Sequence, residues 1–96
     1  MQYVKVRWSH DFPDEPVTYL SELGEDRYET RKVQIYLDGR MEWSDENHET
    51  TTAGLSEIAF PPLEEISSQP EFTAELITPE EFDVTWAKAT DSGQAN

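Results

Sequence analysis

Residues 31–43 read RKVQIYLDGRMEW, and this stretch decides the fold. Apolar and polar residues alternate on both sides of the pair Asp38-Gly39, which is the pattern of a half-buried β-hairpin. A two-residue turn on that pair would place Ile35 opposite Glu42 and would mix charge into the apolar face. The alternation therefore favours a longer loop.

A three-residue loop with Gly39 in the left-handed conformation gives the other register. It pairs Ile35 with Met41 and Val33 with Trp43, so these four side chains form one apolar plate. We predict this register, because a one-residue slip would turn every side chain over to the opposite face. The side chains predicted to face outward are Gln34, Tyr36, Arg40 and Glu42.

Short strands precede and follow the hairpin. Alternating patterns predict strands over residues 3–10, 17–23, 27–36, 55–60 and 72–77. The strands up to the hairpin would form an antiparallel meander, in which the partners of the first strand are undetermined. The polar stretch 44–54 is predicted to be a mobile loop, and residues 63–66 fit a single helical turn behind Pro61-Pro62.

The end of the chain carries the clearest helix signal. Thr78 is a typical N-cap, Pro79 suits the first helical position, and Glu81 completes a capping box. Apolar residues follow at helical spacing and are predicted to pack on the apolar plate: Phe82, Trp86 and Ala89. We therefore predict an α+β fold, an antiparallel sheet of four to six strands with one C-terminal helix packed on one face. The single domain is predicted to span residues 1–90, followed by a disordered tail over residues 91–96.

The charge of the chain is large and uneven. The 96 residues include 21 acidic and 7 basic side chains, for a formal net charge of −14. Residues 1–40 hold six basic against eight acidic residues, a balance of −2, whereas residues 41–96 hold one against thirteen, a balance of −12. Such a half repels nucleic acid and attracts basic surfaces, although acidity also serves simply to keep a small protein soluble.

Several function classes are excluded or disfavoured by composition. The chain has no cysteine, so it has no disulfide, thiol nucleophile or zinc–cysteine site. The N-terminal residues carry charges within their apolar run, unlike a signal peptide, and no apolar stretch reaches membrane-spanning length. We predict a cytoplasmic protein without a cofactor and without a nucleic-acid or membrane partner.

Two groups of residues contain the ligand types of a metal or acid–base site. His10-Asp11 is followed by Asp14-Glu15, but no further His or Cys is nearby, so a strand-end histidine beside an acidic turn is favoured. Residues 45–49 (DENHE) lack the glycine and the spacing of a calcium loop, so a solvated acidic loop is favoured. No catalytic or metal-ligating residue is predicted.

Acidic side chains are the candidates for partner binding. They lie in a dense set near the C-terminus, Glu64, Glu65, Glu71, Glu75, Glu80, Glu81 and Asp83, and in the loop at Asp45, Glu46 and Glu49. A field of this kind speeds association with basic partners, although the same residues also suit the solvated face of a helix and its flanks. The alternative interface is a strand face with Tyr28, Lys32, Tyr36 and Arg40, because aromatic residues and arginine are enriched at interfaces.

Six segments carry a family resemblance over nearly the whole chain. They are YVKVRW at 3–8, HDFPDEP at 10–16, RKV at 31–33, DGR at 38–40, TPEEF at 78–82, and Trp86. Together they resemble a family of small acidic bacterial proteins that carries a domain-of-unknown-function label. The resemblance implies a bacterial or phage origin and a single compact domain, and it implies no activity or catalytic residue.

These observations predict a small acidic protein-binding module rather than an enzyme. In size and charge the chain is similar to immunity proteins and antitoxins, so the favoured function is to bind and block a basic toxin. The alternative is a DNA mimic, encoded by a phage or a bacterium, that inhibits a DNA-binding or defence protein. An enzyme that uses His10 or His48 with neighbouring carboxylates is the third class.

Overall fold

The predicted hairpin forms one edge of a five-stranded antiparallel sheet in a computed structural model, which describes residues 1–50 and 53–94. The strands are β1 (Gln2–Trp8), β2 (Thr18–Leu23), β3 (Glu29–Ile35), β4 (Met41–Asp45) and β5 (Phe72–Leu76). The helices are α1 (Leu63–Ser67) and α2 (Pro79–Gln94). The strand order is β4-β3-β2-β1-β5, so the first strand lies between β2 and β5. The predicted α+β class and the meander are confirmed.

The hairpin has the register expected from its alternation. Ile35 pairs with Met41 and Val33 with Trp43, and Gly39 has a φ of 88°. A hydrogen bond from the Tyr36 N–H to the Arg40 carbonyl oxygen, at 2.9 Å, closes the three-residue loop. The left-handed glycine therefore sets the face on which each strand residue lies.

The prediction that the second face of the hairpin points to solvent is wrong for two of its four residues. Gln34 and Tyr36 are only 5 % and 3 % exposed. Gln34 lies between Tyr19 and Glu42 in the cross-strand register. The Tyr36 hydroxyl donates to Glu42, and the Arg40 guanidinium lies 4.2 Å from the Tyr36 ring centroid. Long side chains on neighbouring positions cover Gln34 and Tyr36. The alternation of apolar and polar residues does not predict this burial.

Each face of the sheet carries its own apolar cluster. On the first face, α2 buries Phe82 and Ala89 against Leu20 and Val33, with the half-buried Trp43 beside them. On the second face, Val4, Val6 and Leu23 are buried under Phe60, Leu63 and Ile66. The packing of α2 on the apolar plate is confirmed, and the second cluster shows that the chain also crosses the opposite face.

The strand predicted over residues 55–60 is wrong, because this segment pairs with no strand. Arg27 determines its path instead. The Arg27 Nε donates to the Phe60 carbonyl oxygen at 3.0 Å, its Nη2 donates to the Pro61 carbonyl oxygen at 3.0 Å, and the Phe60 N–H donates to the Arg27 carbonyl oxygen at 2.7 Å. These bonds hold the segment across the sheet rather than at its edge.

The start of α2 follows the predicted cap. The Glu81 N–H donates to the Thr78 hydroxyl at 3.1 Å, so the N-cap is confirmed. The helix continues through residues 91–94, within the segment predicted as a tail, while residues 95 and 96 lie outside the described residues. None of the helices in the described part of the chain has both the length and the apolar content needed to cross a membrane.

Candidate partner-binding surface

Seven acidic residues lie on α1, on or just before β5, and at the start of α2, and we call them the acidic surface. They are Glu64, Glu65, Glu71, Glu75, Glu80, Glu81 and Asp83, and all seven are exposed. Their elements are consecutive in the chain: α1 lies beside β5, where the Ala74 N–H donates to the Ser67 hydroxyl at 3.2 Å, and α2 begins just after β5. The set spans both faces of the sheet: α1 packs in the cluster on the second face, whereas Glu81 and Asp83 of α2 lie over β1 and β3 on the first face.

Within the described residues, only two of the seven carboxylates of the acidic surface form ion pairs. Lys5 Nζ lies 3.5 Å from Glu81 Oε2, and Arg31 Nη2 lies 3.4 Å from Asp83 Oδ1. The remaining five carboxylates form no ion pair with any residue in 1–50 or 53–94. Exposed like charges repel one another unless a cation is present, so this surface favours a positively charged partner.

The predicted loop cluster lies at the opposite edge of the sheet. Asp45 ends β4, where its Oδ1 accepts from the Asn47 N–H at 2.8 Å, and Glu46 and Glu49 follow it exposed. The His48 ring stacks on Trp43 with 3.6 Å between centroids. Because β4 and β5 are opposite edges, the two acidic clusters form separate surfaces. Thr51 and Thr52 of the predicted mobile loop lie outside the described residues.

His10 holds the loop between β1 and β2. Its Nδ1 accepts from the Phe12 N–H at 2.9 Å, so the ring proton must lie on Nε2, which donates to the Pro16 carbonyl oxygen at 2.8 Å. Both ring nitrogens are thus occupied by backbone groups, as a structural histidine requires. Within the described residues, no cluster of three or more His, Asp or Glu side chains could hold a metal ion.

A buried ion pair lies beneath α2. Glu22 is 6 % exposed and receives two hydrogen bonds from Arg31, at 2.9 Å from Nε and 2.6 Å from Nη2. The Arg31 hydrogen bond is the main cause that lowers the pKa of Glu22 to about 2, against the opposing effect of burial. The same bond raises the pKa of Arg31, and a hydrogen bond to Glu22 raises the pKa of Tyr3. Glu22 and Arg31 face each other on neighbouring strands and neutralise each other, so these charges are not available to a partner.

Arg31 is also enclosed by aromatic rings. Its guanidinium carbon lies 4.8 Å from the Phe82 ring centroid and 5.0 Å from that of Trp86. The pairing of Glu22 with Arg31 is not predictable from the sequence, because it depends on the register of β2 with β3 that places them opposite each other. Two cation–π contacts and two carboxylates thus form a complete guanidinium site within the fold.

A cavity of about 250 Å³ lies between the sheet and the crossing segment that contains Phe60 and Ile66. Its one carboxylate, Glu29, is already satisfied. Glu29 accepts from the Ser21 hydroxyl at 2.9 Å and from the Ser56 N–H at 2.7 Å, and Lys32 Nζ lies 3.3 Å from it. The other residues that line the cavity are uncharged, so it offers no unpaired charge for catalysis.

Aromatic side chains form a ladder along one end of the sheet. Trp8 stacks on Phe72 with 5.9 Å between ring centroids and lies 4.1 Å from the His10 ring, which in turn lies 5.3 Å from the ring of Phe12. Phe12 is 56 % exposed. Trp8, His10 and Phe12 occupy every second position, which would place them on one face of an extended strand. Because a turn is predicted after residue 10, the sequence does not predict that the three rings stay adjacent.

A comparison with family models matches residues 2–91 to DUF6881, described as a domain of unknown function. Neither the comparison with curated proteins nor that with solved structures found a match. The match extends over both acidic clusters, the β1–β2 loop and the first thirteen residues of α2. Because it covers nearly the whole chain, the protein belongs to the DUF6881 family.

Proposed function

We propose that the protein is a non-enzymatic binding module that captures a basic partner protein through its acidic surface. The observation that carries the proposal is the set of five exposed carboxylates without an ion pair in the described part of the chain, which lie on α1, on β5 and the residue before it, and in the first turn of α2. Such a surface accelerates encounter with a basic protein and loses that effect as salt screens it.

The specific form of the proposal is an immunity protein or antitoxin that covers a basic toxin. The small domain, the absence of cysteine and the high negative charge favour this function. Secondary-structure elements position the carboxylates before binding, which lowers the entropy that association must overcome. A DNA mimic that blocks a DNA-binding or defence protein uses the same electrostatic attraction, and its target would be a DNA-binding groove rather than a toxin. A bacterial or phage origin and a cytoplasmic location belong to the same proposal.

The test compares two matched pairs of charge reversals. Glu64→Lys with Glu65→Lys changes the acidic surface, and Glu46→Lys with Glu49→Lys makes the same change in net charge at the opposite edge. Binding to the product of the adjacent gene is followed by stopped-flow fluorescence at several salt concentrations. We expect the first pair to slow association about tenfold at low salt and to reduce the salt dependence.

The two candidate surfaces predict different outcomes in this experiment. A larger effect from the Glu46/Glu49 pair would assign recognition to the β4 edge. Equal effects would show that only net charge matters. If neither pair changes the association rate, the acidity serves solubility and the proposal is wrong. Competition by duplex DNA for the partner would distinguish the DNA mimic, because a mimic and DNA share one site on the target.

A further inference from the structure

The loop between β1 and β2 presents an exposed aromatic ring in a fixed position. Phe12 is held by the bond from its N–H to His10 Nδ1, and its carbonyl oxygen accepts from the Glu15 N–H at 3.3 Å. The loop is closed where the Trp8 N–H donates to the Val17 carbonyl oxygen at 2.9 Å. An exposed phenylalanine on a hydrogen-bonded loop is a preorganised contact, because little conformational freedom remains to be lost on binding.

This loop forms a surface pocket, which we call the Trp8–Phe12 pocket, with a volume of about 470 Å³. The residues that line it are Trp8, Phe12, Pro13, Asp14 and Glu15. It thus combines two aromatic rings and a proline with two carboxylates, and no basic residue lines it. Asp14 and Glu15 are exposed and have no ion-pair partner anywhere in residues 1–50 or 53–94.

Aromatic faces beside carboxylates attract a flat cation. A guanidinium stacks on an aromatic ring within about 6 Å of the centroid and donates hydrogen bonds in a fork that matches a carboxylate. The protein already contains such an environment in its interior, where Arg31 lies beside Phe82 and Trp86 and bonds to Glu22. The Trp8–Phe12 pocket offers the same kinds of groups on the surface.

We propose that the Trp8–Phe12 pocket binds an arginine side chain of the partner protein. The inference rests on the proposed function, in which the partner is basic. The pocket also adjoins the acidic surface, since Trp8 stacks on Phe72 and the Ser9 N–H donates to the Glu71 carbonyl oxygen at 2.8 Å. The pocket therefore lies beside the Glu71 end of the acidic surface, so that a specific aromatic anchor adjoins part of the charge that attracts a basic partner.

The test is a titration of the full-length, ¹⁵N-labelled protein with N-acetyl-arginine amide, followed by NMR. N-acetyl-citrulline amide, which has the same shape without the charge, is the control ligand. We expect saturable shifts of the Trp8 indole N–H with the arginine compound only. The indole N–H groups of Trp43 and Trp86 are internal controls, because both rings belong to the cluster on the α2 face.

Two variants test whether the Phe12 ring and the two carboxylates of the pocket contribute to arginine binding. Phe12→Leu keeps an apolar side chain but removes the ring, and we expect it to weaken binding about two- to fivefold, the effect of an exposed cation–π contact. Asp14→Asn with Glu15→Gln is expected to weaken it similarly, through loss of charge. The matched control, Glu46→Gln with Glu49→Gln, removes equal charge at the β4 edge and should leave binding unchanged.

The inference is overturned by any of three results: equal shifts with citrulline, equal binding of N-acetyl-lysine amide, or a loss of binding as large in the Glu46/Glu49 control. The titration needs no partner protein, so its failure is separable from failure of the proposed function. Arginine binding without binding of the adjacent gene product would overturn the proposed function alone. The reverse would overturn the Trp8–Phe12 pocket alone.

Discussion

The ionisation of Glu22 is coupled to folding. Its pKa is about 2 in the folded protein against an ordinary value of 4.5, because Arg31 binds the ionised form. The lowered pKa stabilises the folded state fully above pH 4.5, and this stability is lost as the pH falls from 4.5 towards 2. From the size of the shift the contribution is about 3 kcal/mol.

The substitution Glu22→Gln tests this coupling. We expect it to lower the free energy of unfolding by about 3 kcal/mol at pH 7, since it leaves Arg31 without its buried partner, and to flatten the loss of stability as the pH falls below about 4.5. Urea denaturation at a series of pH values measures both effects. Glu80→Gln is the control, because Glu80 is exposed and forms no ion pair within the described residues. If the free energy of unfolding of the Glu22→Gln variant falls below pH 4.5 as steeply as that of the parent, the ionisation of Glu22 does not stabilise the folded state.

At the scale of elements, the hairpin depends on one backbone conformation. Gly39 has a φ of 88°, and an added Cβ would meet nothing within 4 Å, so backbone strain is the only cost of a side chain there. We expect Gly39→Ala to destabilise the protein by about 1 kcal/mol and Gly39→Asn by less, since asparagine tolerates the left-handed region. Chemical denaturation of the two variants provides the comparison. Equal stability of Gly39→Ala and the parent would argue against the three-residue loop.

The elements predicted from sequence are those specified by local chemistry. The hairpin register followed from the Asp38-Gly39 turn and its alternation, and α2 followed from Thr78 and Pro79. The crossing segment was not predictable, because Arg27 fixes its path through Phe60, 33 residues away. Non-local hydrogen bonds of this kind leave no periodicity in the sequence. The acidic residues were identified by composition, but only the strand order separated them into two surfaces.

At the scale of the whole molecule, the net charge of −14 opposes compactness through self-repulsion. We expect sodium chloride to raise the melting temperature near neutral pH, because it screens this repulsion more than it weakens the few exposed ion pairs. The increase should vanish near pH 4.2, the isoelectric point expected from the sequence. Differential scanning calorimetry at both pH values makes the test. A salt-dependent decrease near neutral pH would show that attractive pairs outweigh the repulsion.

The separation of the two apolar clusters from the acidic surface has an evolutionary consequence. Within the described residues, Glu64, Glu65, Glu71, Glu75 and Glu80 belong to neither cluster and form no ion pair, and substitution of such exposed residues generally changes stability by less than about 0.5 kcal/mol. Mutations can therefore alter what the molecule attracts while the scaffold persists. If the proposed function is correct, this property lets the recognition residues change with the partner while the core is kept.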